Sequence, residues 1–427
     1  MKNLGGKTAF CPLAEDLTVH MKIILIALMS VAFSATNAGY EPGEDSMPNQ
    51  GVPKGKVEKH VLNNSRIYPG TTHEYQVYVP AQYRQDEPAA VMVFQDGDAY
   101  VHPEEQVRAP TVFDNLIHRN EMPVTIGIFV NPGTKEKSHD QLDVEYVPLD
   151  DTYARFLLEE ILPAVGNNYN LTGDAAGRAI CGMSDGGLAA FTVAWERPGS
   201  FSKVISHIGS YTRLRGGSEY PYRIRLTRGD PKPIRVFLQD GSNDLNLLQG
   251  NWTLGNLAME SALMYARYDY RFEMGTGGHD LAHAGAIFPD TVRWIWRDYP
   301  GVRRAVETSR HFIIVGEWHV VTNILGTEYN AVLTIGERNG ELHATLVDET
   351  DGEIDLRSIT FEDRILRYVY APPTSQLSWQ KDSTEEIETW LKVHDDSLTG
   401  ALSGGIDAEI DFSVTGRRAA GPIRSQK

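Results

Sequence analysis

The stretch RAICGMSDGGLAAFTVAW, residues 178–195, constrains this chain more than any other. Ala179, Ile180 and Cys181 read as a short buried strand. Gly182-Met183-Ser184-Asp185-Gly186 follows, in the form G-x-S-x-G. Leu188, Ala189, Phe191, Thr192 and Trp195 then recur at helical spacing. A serine between strand and helix, with a glycine two residues to either side, sits on a turn too sharp for neighbouring side chains. The spacing predicts a strand–turn–helix unit that presents Ser184 as a nucleophile. The plainer alternative is a glycine-rich helix entry with a capping serine.

The surroundings repeat this alternation. Apolar runs at 77–80, 90–94, 124–130, 203–208, 234–238 and 270–274 read as strands. Helical periodicity covers 152–165, 251–266 and 287–300, the last ended by Pro300. Strands alternating with helices imply an α/β fold, a mostly parallel sheet flanked by helices on both faces. In such sheets chemistry sits at the C-terminal ends of the strands. Beyond Arg304 the pattern changes to short alternating strands with turn signals at RNG, TDGE and HDDSLTG. This predicts a small all-β C-terminal domain over 305–418, a closed barrel or a sandwich, because closure removes exposed edges. DETDGEIDLRS, 348–358, lacks the ligand spacing of a calcium loop and reads as a hairpin turn. No metal site and no organic cofactor are expected.

Residues 23–33, IILIALMSVAF, follow Met21 and Lys22 and precede small residues. This is the form of a signal peptide over 21–38, which predicts export to the periplasm or the extracellular space. The run is short for a membrane span, the alternative being a membrane-anchored protein. Residues 1–20 are an unusual leader before such a signal and read as a mis-assigned start, with the mature chain beginning near Gly39. Residues 39–55 are rich in Gly, Pro and charge and read as a flexible linker; 56–304 form the α/β domain and 419–427 a flexible tail. Cys181 is the one cysteine of the mature chain, so no intrachain disulfide is expected. A formal net charge of −17 argues against nucleic acid and anionic membrane as partners.

A serine hydroxyl needs a base, normally a histidine oriented by a carboxylate. In elbow enzymes the acid and then the histidine follow the serine in sequence. Asp240 and Asp244 are the candidate acids, in RVFLQDGSNDLN. Asp240 leaves the strand directly and could simply cap its turn; Asp244 lies in the loop and is favoured. For the base, His279 follows Gly277-Gly278 straight after a strand, with His283 as competitor. His207 precedes both acids and is excluded by order. The oxyanion hole needs two N–H donors. One is expected from Asp185, the other from Asp98, with Gly97 as alternative and the Asp98 carboxylate turned away. The loop 210–225 is a candidate specificity loop carrying Tyr211 and Arg213, with Trp252 as a candidate rim residue. A solvated surface loop and a core tryptophan are the plain readings.

With these residues assembled, the sequence resembles the esterase family of α/β-hydrolases that includes enterochelin esterases, feruloyl and acetyl-xylan esterases and esterase D. The resemblance covers residues 57–300 and rests on VMVFQDGDAY, the GMSDG elbow, GSND and GGHD. It implies an α/β-hydrolase fold, with Ser184 as nucleophile, Asp244 as acid and His279 as base. Asp185 departs mildly, since the residue after the serine varies in such enzymes. Residues 305–427 look loosely like small barrels of the lipocalin kind. The expected function is secreted serine carboxylic-ester hydrolysis of acetyl or hydroxycinnamoyl esters on polysaccharide or small molecules. A siderophore ester hydrolase of the enterochelin type is the alternative. A non-catalytic carbohydrate- or lipid-binding protein on a hydrolase scaffold is the alternative from another class.

Overall fold

The apolar runs assemble into one eight-stranded sheet. A computed structural model describes residues 39–135, 141–212, 216–302 and 314–419, without 325, 339, 350–351, 355, 363, 372–385, 395 and 404–410. The leader, the signal peptide and Arg213 lie outside the described residues, as does the tail beyond Ala419. The sheet contains β1 (Lys56–Asn63), β2 (Thr72–Val79), β3 (Ala90–Gln95), β4 (Thr125–Val130), β5 (Arg178–Met183), β6 (Lys203–His207), β7 (Arg235–Gly241) and β10 (Asp269–Gly275). Between β7 and β10, β8 (Asn246–Leu247) and β9 (Gly250–Asn251) form a small hairpin. The order is β1-β2-β4-β3-β5-β6-β7-β10. From β4 to β10 all neighbours are parallel, whereas β1 and β2 pair antiparallel. β1 escapes sequence reading because KVEKHVLN has no buried face.

The flanking helices are α1 (Ala109–His118), α2 in three continuous pieces (Thr152–Phe156, a π turn Leu157–Ile161, and Leu162–Gly166), α3 (Ser184–Glu196), α4 (Trp252–Tyr265) and α5 (Ala282–Ile295). They bury the sheet from both sides, around Phe156, Phe191 and Leu263 on one face. Phe113, Phe288 and Trp296 fill the other. That is why β3 and β4 are apolar without alternation. α5 differs from expectation. It begins at Ala282, whose N–H is capped by Asp280 Oδ1 at 2.8 Å, carries Pro289 inside it and ends before Pro300. No described helix is long and apolar enough to cross a membrane.

Residues 39–55 are not a detached linker. Asp45 pairs with Arg119 at 2.6 Å and with Arg293, the Asn115 amide donates to the Asp45 and Met47 carbonyls, and Tyr40 stacks on His283 at 4.3 Å. Gly/Pro content predicts a loop; the charges in it decide that the loop is strapped to the domain.

The C-terminal part is a single antiparallel sheet: β11 (Gly316–Ile324), β12 (Thr327–Arg338), β13 (Glu341–Asp348), β14 (Gly352–Ile354), β15 (Leu356–Glu362), β16 (Ile365–Tyr370), β17 (Ile387–His394), β18 (Ser397–Ser403) and β19 (Asp411–Arg418). Its order is β14-β13-β12-β11-β19-β18-β17-β16-β15, and β13 also lies against β15. The sheet thus nearly closes into a barrel around Trp318, Leu366, Leu391 and Val414. The expected hairpin at 348–358 is the β13–β14 turn. The barrel sits on the free edge of the large sheet. Lys392 Nζ donates to the Phe272 carbonyl of β10 at 3.3 Å and pairs with Glu260. Arg228 grips Asp411 through two bonds of 2.8 Å. Covering β10 removes an open strand edge.

Candidate active site

Three loops at the C-terminal ends of parallel strands meet at one point. Ser184 follows β5 and opens α3 with φ +52°, a left-handed conformation that a non-glycine residue holds only at a cost. The flanking glycines make the turn possible. A Cβ on Gly182 would stand 2.2 Å from the Gly186 carbonyl oxygen, and one on Gly186 would stand 2.5 Å from Asp96 Oδ2. Asp244 follows β7 and His279 follows β10. Ser184 Oγ lies 2.9 Å from His279 Nε2, and His279 Nδ1 lies 2.6 Å from Asp244 Oδ1. With Asp244 ionised, Nδ1–H donates to the carboxylate and Nε2 is left to accept the serine proton.

The electrostatics favour that arrangement. Burial alone would raise the Asp244 carboxyl, but hydrogen bonds from His279 and from Asp240 outweigh it and hold it below the ordinary carboxylate range. Asp240 goes the other way: burial first, and then the neighbouring Asp244, push it up to about 9. It therefore keeps its proton at neutral pH and donates to Asp244. The structure assigns the two candidate acids different states, one charged and facing the histidine, one neutral behind it. The competing histidines are placed elsewhere. His283 is buried, stacked on Tyr40 and 3.1 Å from the Gln239 amide. His207 is buried 3.0 Å from the Tyr100 hydroxyl and pushed down to about 3 by burial.

The N–H groups expected as second oxyanion donors are both engaged in this structure. The Asp98 N–H donates to Asn131 Oδ1 at 3.1 Å, and the Gly97 N–H donates to the Val130 carbonyl at 3.1 Å. Gly97 is glycine because the β4 backbone passes beside it; a Cβ there would lie 2.4 Å from the Phe129 carbonyl carbon. The Asp98 carboxylate does turn away, accepting from the Gln76 amide at 2.9 Å. Asp96, directly after β3 and itself at φ +53°, is the loop residue that touches the elbow. Its N–H donates to the Tyr146 hydroxyl at 3.1 Å. Burial and then the Asp185 charge push its carboxyl up to about 7. Asp185 stands in the first turn of α3, where N–H groups lack intrahelical partners.

Tyr211 is not a rim residue. It is 2% exposed, its hydroxyl donates to Ser206 at 3.0 Å, and its ring packs on Phe191. Trp252 is buried as well, but it forms part of the site: its ring stands edge-on to His279 at 5.8 Å and its N–H donates to Ser210 Oγ at 3.1 Å. Ser210 Oγ is 3.3 Å from Ser184 Oγ. Sequence reading missed Ser210 and Asp96. Their signal is position: each lies just beyond the C-terminal end of a parallel strand. Among the described residues no cluster of His, Cys, Asp and Glu could hold a metal ion.

The profile of the Esterase family, described as "Putative esterase", matches residues 68–280, which contain all three members of the hydrogen-bonded set. The α/β domain belongs to that family. The esterase domain is 23% identical over 207 residues to the uncharacterized protein YbbA of Bacillus subtilis, a match covering 45% of this chain and 73% of YbbA. Among solved structures it is similar to the enterobactin esterase FES from Shigella flexneri, at 18% identity and a TM-score of 0.49 over 60% of this chain. The chain spans 62% of that enterobactin esterase. A ferulic acid esterase from Anaeromyces mucronatus is similar at 16% identity and a TM-score of 0.49, over 62% of this chain and 97% of its own. As a member of this esterase family, the α/β domain is a carboxylic ester hydrolase domain.

Proposed function

We propose that the protein is an exported serine carboxylic-ester hydrolase that works through an acyl-enzyme. The observation that carries this reading is the unbroken chain from Ser184 Oγ through the His279 ring to Asp244, at 2.9 and 2.6 Å. His279 takes the Ser184 proton as Oγ attacks the ester carbonyl. Asp244 stabilises the imidazolium that forms. The first-turn N–H of Asp185 and the N–H of Asp96 receive the oxyanion, the latter exchanging its bond to the Tyr146 hydroxyl. His279 then protonates the leaving alcohol. Water, deprotonated by the same nitrogen, attacks the acyl carbon and releases Ser184.

The acyl donor in this reading is a neutral ester, an acetyl or hydroxycinnamoyl group on a polysaccharide. Burial and then the Asp185 charge already raise the Asp96 carboxyl beside the elbow, so an anionic iron chelate would meet like charge there. The test is hydrolysis by protein starting at Met21, with Ser184→Ala as control. The panel holds p-nitrophenyl acetate, methyl ferulate, acetylated xylan and ferric enterobactin. Turnover of the neutral esters, abolished in the variant, is expected. Turnover that survives Ser184→Ala overturns the mechanism, and preference for ferric enterobactin overturns the substrate class.

A further inference from the structure

His279 stands on a short loop, residues 276–281, between the end of β10 at Gly275 and the start of α5 at Ala282. Gly277 and Gly278 precede the histidine and give the backbone wide freedom, so its place depends on what grips the loop. One grip comes from the loop that carries Asp244. The Ser242 and Asn243 N–H groups donate to the Gly275 and Gly277 carbonyls at 2.9 and 3.1 Å. The Asn243 side-chain amide donates to the Thr276 carbonyl at 2.8 Å. These bonds use the carbonyls of the histidine loop and tie it to its acid.

The second grip comes from the N-terminal strap. The Thr276 N–H donates to the Tyr40 hydroxyl at 2.9 Å, across 236 residues of chain. The Tyr40 ring lies on the His283 ring, with centroids 4.3 Å apart and planes 20° from parallel. Gly275 leaves the room for this contact. A Cβ there would stand 2.2 Å from the Tyr40 hydroxyl oxygen and 2.6 Å from His283 Nδ1. The strap behind Tyr40 is itself anchored. Asp45 pairs with Arg293 of α5 and, at 2.6 Å, with Arg119. The Asn115 amide donates to the Asp45 and Met47 carbonyls at 2.8 and 2.9 Å. Tyr40 thus carries the hold of α1 and α5 to the start of the histidine loop.

We propose that Tyr40 is a positioning residue for the esterase reaction, holding the loop so that His279 Nε2 keeps its 2.9 Å approach to Ser184 Oγ. The inference rests on the reading of His279 as the base. A shift of about 1 Å in such a group can cost on the order of 10²-fold in rate. Tyr40 acts through Thr276 and His283, so its loss falls on the proton-transfer step, in kcat, and leaves KM in place.

Steady-state kinetics of the full chain on p-nitrophenyl acetate tests this, with kcat taken per active site titrated by a fluorophosphonate. Tyr40→Ala removes the acceptor and the ring and is expected to lower kcat about tenfold, with KM within about twofold of the parent. Tyr40→Phe keeps the ring and is expected to recover most of that loss, lying about threefold below the parent. A Tyr40→Phe variant as slow as Tyr40→Ala places the whole effect in the hydroxyl bond and supports the same inference. A Tyr40→Ala enzyme with kcat within about twofold of the parent overturns it. So does a loss that lies in KM, or one that vanishes when rates are divided by titrated sites, since the strap then only stabilises the fold. Ser184→Ala separates the two readings. Turnover abolished by Ser184→Ala but untouched by Tyr40→Ala sinks the role of Tyr40 alone, whereas turnover that survives Ser184→Ala overturns the reading of His279 and this inference with it.

Discussion

Ser210 Oγ stands 3.3 Å from Ser184 Oγ while accepting the Trp252 indole N–H at 3.1 Å. The indole occupies one of the Ser210 lone pairs and turns the Ser210 O–H toward the nucleophile. Ser184 in turn directs its own proton to His279. Ser210 thereby stabilises negative charge on the nucleophile as the proton leaves. Ser210→Ala is expected to lower kcat about three- to tenfold with little change in KM, the effect of one neutral hydrogen bond. Trp252→Phe should lower kcat less, because it keeps the ring against His279 and removes only the donor. Steady-state kinetics on p-nitrophenyl acetate reads both.

Asp244→Asn preserves shape but presents an amide to His279 Nδ1. That favours the wrong tautomer and leaves Nε2 unable to accept the serine proton. The expected loss in kcat is about 10⁴-fold, with unchanged thermal unfolding. An Asp244→Asn enzyme within tenfold of the parent would transfer the acid role to another residue.

Asp240 makes stability depend on pH in a stated direction. Its ordinary value is 3.8, and in the folded protein it is pushed up to about 9. A raised carboxyl binds its proton more tightly when folded. Its contribution is therefore full below pH 3.8 and is lost as pH rises through about 9. Asp240→Asn keeps a donor toward Asp244 and has no proton to lose. The thermal midpoint of this variant is expected to fall less than that of the parent between pH 7 and pH 10. Its activity should also extend further into the alkaline range. Melting curves and kcat across that interval check both.

Arg228 and Asp411 join the two domains, with both side chains only 11% exposed. Removing one partner leaves the other charge buried without its mate. Arg228→Ala is expected to cost about 3 kcal/mol at the junction and to separate unfolding of the barrel from that of the esterase domain. Calorimetry should show two transitions where the parent shows one, with esterase activity retained until the second.

The alternation of apolar runs with helical periods was legible as a covered parallel sheet, because both faces of such a sheet exclude water and leave no polar positions. The elbow was legible because Gly182 and Gly186 answer a local steric need. β1 was not legible, since a strand with neither face fully buried carries no hydrophobic period. The strap at 39–55 was hidden for a related reason. Asp45 means nothing locally until Arg119 and Arg293 arrive from distant helices.

Residue type and spacing by themselves determined the candidate nucleophile, the fold class and the short list of partners, because a strained turn and a buried sheet leave few choices of side chain. The tertiary structure alone decided which member of each short list is turned toward Ser184. Asp244 and Asp240 are four residues apart and chemically identical; burial depth and the nearness of His279 make one an anion and the other a neutral donor. His279 lies in the loop that faces Ser184, whereas His283 lies in the first turn of α5, buried against Tyr40. Ser210 and Asp96 emerge only when strands distant in sequence lie side by side, since sequence does not encode which loops share one end of the sheet.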